Sequence, residues 1–210
     1  MISRPTRTTI CVLIAAFGIF GCGKEDSCRS RALTTSGEET PRPAIRLLGL
    51  DDEPVDIWMA DRPAIMVVLF TRSDCPISNR CAPEIRRLYD TYHPRGVEFY
   101  LVYVDPREQP EAIRQHLREY EYPCRALRDP EHTLVAHCGA TTTPEAVVFD
   151  RDRTITYRGR VDDLYADVGR PRDGPTTHDL ADAIEATVLG RPVATPRTQA
   201  VGCPIADLKP

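Results

Sequence analysis

Apolar residues along the chain fall into two kinds of pattern, and their alternation sets out most of the fold. Residues 64–70 (AIMVVLF) form a continuous apolar run of strand length, and residues 97–104 (VEFYLVYV) form a second, rich in β-branched and aromatic side chains. Runs that are apolar on both faces suit central strands of a parallel or mixed sheet covered by helices. Between them Ile85, Leu88, Tyr89 and Tyr92 recur at helical spacing, which predicts a helix over about Asn79 to Tyr92, with Pro83 kinking it or fraying its first turn. A second helix is predicted from about Gln109 to Tyr120, where Ile113, Leu117 and Tyr120 share one side. Residues 123–139 are loosely patterned. Two short apolar stretches around an Asp-Arg-Asp-Arg turn, residues 143–150 and 154–158, predict an antiparallel hairpin. A last helix is predicted from about Thr177 to Leu189, opened by a capping-box-like Thr176-x-x-Asp179 and stopped by Gly190. Strand, helix, strand, helix is the βαβ arrangement of an α/β domain with a central mixed sheet flanked by helices.

The N-terminus follows a different pattern. Arg4 and Arg7 precede an apolar run from Ile10 to Phe20 and then Gly21-Cys22-Gly23. A positive start, a short apolar core and a small residue before the cut predict a secretory signal peptide over residues 1–21, too short to span a membrane securely. Residues 19–22 (IFGC) resemble a bacterial lipobox, which implies that Cys22 is lipidated and anchors the protein to the membrane; Phe20 is bulkier than usual there, and the alternative is simple cleavage to a soluble exported protein. The expected organisation is a signal peptide at 1–21, a polar tether at 22–43, one domain at 44–190 and an extended tail at 191–210, all placed outside the cytoplasm in the bacterial periplasm or cell envelope. The net charge of −4, with no basic cluster, gives no reason to expect a nucleic-acid partner.

The chain has eight cysteines. Leaving out Cys11 and Cys22, six remain in a compartment where disulfides persist. Cys75 stands where the first long strand runs into Pro76. A cysteine in the first turn of a helix has its thiolate stabilised by unpaired N–H groups, and a following proline gives up an N–H that would have had no partner. Cys75 is therefore the expected nucleophile. Cys81, about 600° further round the helix, falls beside the stripe of Ile85 and Leu88 and reads as a small core residue. Cys124 and Cys138 flank Asp129-Pro130, and a structural disulfide between them would close a loop of about 15 residues.

The spacing of Cys75 to Ala82-Pro83, with Thr143-Pro144 opening a later strand, resembles the thioredoxin fold. In that register Ser78 takes the place of the second cysteine of C-x-x-C, and Thr143-Pro144 the place of the cis-proline loop that binds a partner's extended backbone. More closely, the chain resembles the redoxin (AhpC/TSA-like) proteins of extracytoplasmic bacterial redox systems. That likeness rests on Cys75-Pro76-Ile77, Ala82-Pro83-Glu84, Asp129-Pro130, Thr143 to Ala146, Tyr157 to Asp163 and Gly202-Cys203. It implies an antioxidant or thiol–disulfide oxidoreductase role, with a disulfide-bearing or thiol protein, or a peroxide, as partner and no cofactor or metal. The residue three before Cys75 is Arg72 where peroxidases of the family carry a hydroxyl, and Val68 stands where they carry proline.

A C-x-x-S site needs a resolving thiol from elsewhere. Cys203 is the candidate, because the residues after Gly190 have an extended reach of roughly 40 Å. Arg158, with Arg160 on the same strand, is a candidate for positive charge beside the Cys75 thiolate. The catalytic set expected is thus Cys75, Cys203, Ser78, Thr143, Pro144 and Arg158. The rival reading is a redox-inactive binding module or a copper assembly protein, for which His137 and Cys138 with Cys75 and Cys81 would be ligands. The spacing of Cys75 and Cys81 departs from the C-x-x-x-C of such copper sites, and the remaining histidines, His93, His116, His132 and His178, read as surface residues.

Overall fold

The computed structural model describes residues 45–58 and 64–206. The expected signal peptide, lipidation site and tether lie outside the described residues. In chain order the elements are β1 (Leu47–Leu48), β2 (Pro54–Val55), β3 (Ile65–Thr71), α1 (Pro76–Arg80), α2 (Ala82–Tyr92), a 3-10 turn (His93–Arg95), β4 (Val97–Tyr103), α3 (Pro110–Glu119), β5 (Arg125–Arg128), α4 (Thr133–Cys138), β6 (Thr142–Thr143), β7 (Glu145–Phe149), β8 (Ile155–Gly159), β9 (Tyr165–Asp167), β10 (Arg170–Pro171), α5 (Asp179–Val188) and β11 (Cys203–Pro204).

The main sheet runs β2-β1-β5-β4-β3-β7-β8. Its middle strand, β3, is buried along its whole length. It pairs in parallel with β4 from Ile65–Val97 to Thr71–Tyr103 and antiparallel with β7. Alternate residues of β3 serve opposite cores, as the two-residue period of a strand requires. Ile65, Val67 and Leu69 pack with Ile85, Leu88, Ile113, Leu180 and Ile184 from α2, α3 and α5. Met66, Val68 and Phe70 pack with Leu134, Val135 and Cys138 of α4. The chain steps outward from β3 to β4 to β5 in one direction, so right-handed crossovers put α2 and α3 on one face. It then returns across the sheet to β7, which leaves α4 on the other face. This mixed sheet between helices is a thioredoxin-like α/β fold.

Several local expectations change. The helix predicted from Asn79 begins at Pro76 and breaks at Cys81. Pro83 has no N–H to continue the ladder, so the Cys81 N–H turns back to the Ser78 carbonyl at 3.0 Å and the helix restarts with Ile85 N–H on the Cys81 carbonyl at 3.0 Å. The capping box does not form. Thr176 and Thr177 donate to the buried Asp163 carboxylate instead, and His178 is the residue preceding α5. The segment 123–139 contains β5 and α4, too short for their periodicity to show. Cys124 and Cys138 are not joined. Both are free buried thiols, and they belong to the cores on opposite faces of the sheet.

The Asp129-Pro130 pair has a structural explanation. The Asp129 carboxylate is fully buried and accepts the N–H groups of Thr133, Leu134 and Val135 at 2.8, 2.9 and 2.9 Å. These are the otherwise unpaired donors of the first turn of α4. Replacing Asp129 by Ala should therefore cost about 2 to 3 kcal/mol in urea unfolding, with Asp129→Asn recovering part of the loss.

Candidate active site

Cys75 is presented by the turn that joins β3 to α1. Its backbone is extended, Pro76 occupies the first helical position, and the Cys75 carbonyl accepts the Asn79 N–H at 3.1 Å. The turn before it is held from α3 and from the loop that precedes it. Ser73 N–H donates to Glu108 Oε1 at 2.8 Å, and the Ser73 hydroxyl donates to the same oxygen. Asn79 Nδ2 donates to the Ser73 carbonyl at 3.0 Å. Asn79 Oδ1 in turn meets His116 Nε2 at 2.8 Å, and His116 Nδ1 meets the Tyr103 hydroxyl at 2.7 Å. His116 is thus buried in a polar chain and is not the surface residue expected from the sequence; burial lowers its pKa.

The second wall of the site is the loop before β7. Thr143-Pro144 is a cis peptide bond, as the resemblance implied. The loop is braced by Glu145, whose Oε2 accepts Thr141 N–H at 2.9 Å and Thr142 N–H at 3.3 Å. Arg158 Nε pairs with Glu145 Oε1 at 3.3 Å. The Arg158 guanidinium also donates to the Cys138 and Gly139 carbonyls. Among the described residues the Arg158 side chain makes its hydrogen bonds and ion pair with these groups and not with Cys75 or Cys203, where the sequence predicts its charge. It steadies the loop through Glu145. Arg160 is likewise engaged elsewhere, with Asp179 at 2.8 Å.

The third wall is the C-terminal segment. After α5 the chain runs alongside β8, where Arg158 N–H donates to the Pro196 carbonyl at 3.0 Å and Thr198 N–H to the Arg158 carbonyl at 3.1 Å. Thr198 Oγ1 sits among Tyr157 Oη at 2.7 Å, Arg160 N–H at 3.0 Å and the bare Cα of Gly159, where an added Cβ would lie 2.1 Å from it. The Tyr-Arg-Gly-Arg motif is therefore a dock for this segment. Further on, β11 pairs antiparallel with β6, with Cys203 opposite Thr143. This brings Cys203 Sγ to 2.9 Å from Cys75 Sγ, and Cys75 Sγ also lies 3.2 Å from the Thr143 carbonyl oxygen.

Environment separates the five described thiols. Burial pushes Cys75 up, but hydrogen bonds from Cys203, from Ser78 and from Thr143 outweigh it, so its pKa lies below the ordinary thiol value. Ser78 Oγ is buried with no other hydrogen-bond partner, which leaves it for the thiolate. Burial, with the neighbouring Cys75, pushes Cys203 up to about 11. Burial pushes Cys124 up to about 12 and raises Cys81 and Cys138 as well. Arg72, which the sequence marks only as standing where peroxidases of the family carry a hydroxyl, is brought to the site by the fold. It lies close enough to lower the Cys203 thiol, and it is held by Asp74 at 2.8 Å and Asp105 at 3.4 Å. His137 packs against Phe149 and Trp58, and among the described residues no three His, Cys, Asp or Glu side chains converge as metal ligands.

Comparison with known proteins follows the same lines. A family model described as AhpC/TSA family matches residues 40–158. No match was found among curated proteins. Among solved structures, an uncharacterized conserved protein from Geobacillus kaustophilus superposes with a TM-score of 0.68 at 28% identity, over 80% of this chain and 90% of its own. A hypothetical protein from Sinorhizobium meliloti 1021 gives 0.67 at 22% identity, over 76% and 88%. A secreted Mycobacterium tuberculosis disulfide oxidoreductase homologous to E. coli DsbE gives 0.50 at 18% identity, over 67% and 94%, and shares the fold.

Because the Ser78 hydroxyl favours the thiolate, Ser78→Ala should move the pH midpoint of Cys75 alkylation upward. The iodoacetamide rate at neutral pH, localised to Cys75 by mass spectrometry, should then fall severalfold, while the rates at high pH converge.

Proposed function

Because the chain belongs to the AhpC/TSA family and holds two thiols sulfur to sulfur in a thioredoxin-like fold, we propose that it is a thiol oxidoreductase cycling between a Cys75/Cys203 dithiol and an intramolecular disulfide. The observation that carries this reading is the 2.9 Å approach of the two sulfurs from positions 128 residues apart. The Cys75 thiolate attacks a substrate disulfide, forming a mixed disulfide and expelling the first substrate thiolate. That thiolate takes up the proton that Cys203 must lose. The Cys203 thiolate then attacks the Cys75 sulfur, closing the Cys75–Cys203 disulfide and releasing the second substrate thiolate. An external dithiol reductant returns the protein to its starting state. The high pKa of Cys203 suits a thiol that acts second, once Cys75 no longer carries charge beside it.

Disulfides fit the site better than peroxide, since Arg72 replaces the hydroxyl expected three residues before the sulfur. The leader-like N-terminus supports an envelope location with anchoring through Cys22. One matched structure is described as that of a secreted protein, which fits the envelope location.

Replacing Cys75 by Ser should abolish turnover of a small disulfide such as oxidised glutathione. Cys203→Ser should stop the cycle after one equivalent, leaving a mixed disulfide on Cys75. Disulfide mapping of the native chain after one equivalent of oxidant should show a Cys75–Cys203 link; a chain in which Cys75 stays free would refute the cycle.

A further inference from the structure

Cys75 has no exposed surface, and its Sγ lies against Cys203 of the chain's own C-terminal segment as well as the Thr143 carbonyl. That segment is attached at two places. The first is Thr198, in its dock on β8. The second is the edge of β6, where Cys203 pairs with Thr143, Pro204 with Thr142, and Ile205 N–H donates to the Thr141 carbonyl at 2.9 Å. Ile205 is 5% exposed and joins Val68, Phe70 and Leu134 in the core on the α4 face. Gly202 lies so close to the cis peptide that an added Cβ would be 2.0 Å from the Thr143 carbonyl oxygen and 2.7 Å from its carbon. Those are backbone atoms, and the loop that carries them is braced by Glu145 and Arg158.

The seat therefore discriminates. It leaves no room for a side chain immediately before the cysteine, faces the cysteine onto Cys75, and buries an aliphatic side chain two residues later. A disulfide-bearing protein segment that reaches Cys75 through this edge meets the same walls. We propose that residues 201–205 are the resident, displaceable occupant of a strand-docking seat, and that the partner is a protein segment of the same form, an extended Gly-Cys-x-aliphatic strand that takes the tail's place on Thr142–Thr143. This rests on the thiol-exchange reading above.

The chemistry then runs in a fixed order. The tail leaves, the partner strand docks, and the Cys75 thiolate attacks the partner cysteine's disulfide, expelling the outer thiolate. For Cys203 to complete the exchange the partner strand must yield the seat, and the returning Cys203 thiolate closes the bond to Cys75 as the partner cysteine leaves as a thiolate. A tail tethered at Thr198 competes at an effective concentration on the order of millimolar, so it holds the seat against dilute partners.

The test uses the full chain, reduced, with Gly202→Val and Ile205→Asp as two independent ways to unseat the tail. The probes are the peptide Ala-Val-Gly-Cys-Pro-Ile-Ala, its cysteine activated as a thionitrobenzoate mixed disulfide, the same peptide with valine for glycine, and oxidised glutathione. In either variant the glycine peptide should react with Cys75 about tenfold or more faster than in the native chain, and about tenfold or more faster than the valine peptide. Equal rates for the two peptides in the unseated variants, or a glycine-peptide rate no higher than in the native chain, would overturn the seat while reaction with glutathione upholds the thiol reading. Failure of Cys75 to react with oxidised glutathione in any form would overturn the thiol reading itself, and the seat with it.

Discussion

The antiparallel pairing of Cys203 with Thr143 is the contact on which the site depends. Two residues of strand on each side are all it amounts to, far too little to stand alone. It persists because both partners are held from elsewhere. Thr143 is fixed by the Glu145 brace and by β7, which pairs with the buried centre of the sheet. Cys203 is fixed by the Thr198 dock on one side and the burial of Ile205 on the other. Remove either support and the two sulfurs have no reason to meet.

The thiols show how burial and hydrogen bonding sort chemically identical groups. Cys81, Cys124 and Cys138 are buried among apolar side chains, where the neutral form is favoured and the sulfur is a small hydrophobe. Cys75 is as inaccessible as any of them, yet it is surrounded by donors at the start of a helix, and the balance tips toward the thiolate. Its neighbour Cys203 takes the opposite shift. The two sulfurs in contact therefore carry opposite shifts, one thiol lowered and its neighbour raised.

Polar residues that read as incidental in the sequence hold this arrangement together. Glu108 and Asn79 clamp the Ser73 turn, with His116 and Tyr103 behind them. Glu145 and Arg158 clamp the cis-proline loop. The Ser73–Glu108 and Asn79–His116 contacts join elements far apart in the chain, so no spacing rule could announce them. Arg158 illustrates the point: its residue type suggested charge at the sulfur, and its position made it a brace one contact away.

What the sequence by itself determined is whatever depends on local periodicity and local backbone chemistry. The long strands β3 and β4, the amphipathic α2 and α3, the β7–β8 hairpin and the placing of Cys75-Pro76 at a helix start are of this kind, while the cis Thr143-Pro144 bond was implied only by the resemblance to the thioredoxin fold. Elements of two to six residues, such as β5, α4 and β11, carry too few positions for a period to register, and tertiary contacts alone create them. Which of the free cysteines lie in contact belongs to the same class. Chain length allowed Cys203 to reach Cys75 and equally allowed Cys124 to join Cys138. The sheet decided between them by placing the second pair on opposite faces and by bending the tail along β8 to the mouth of β6.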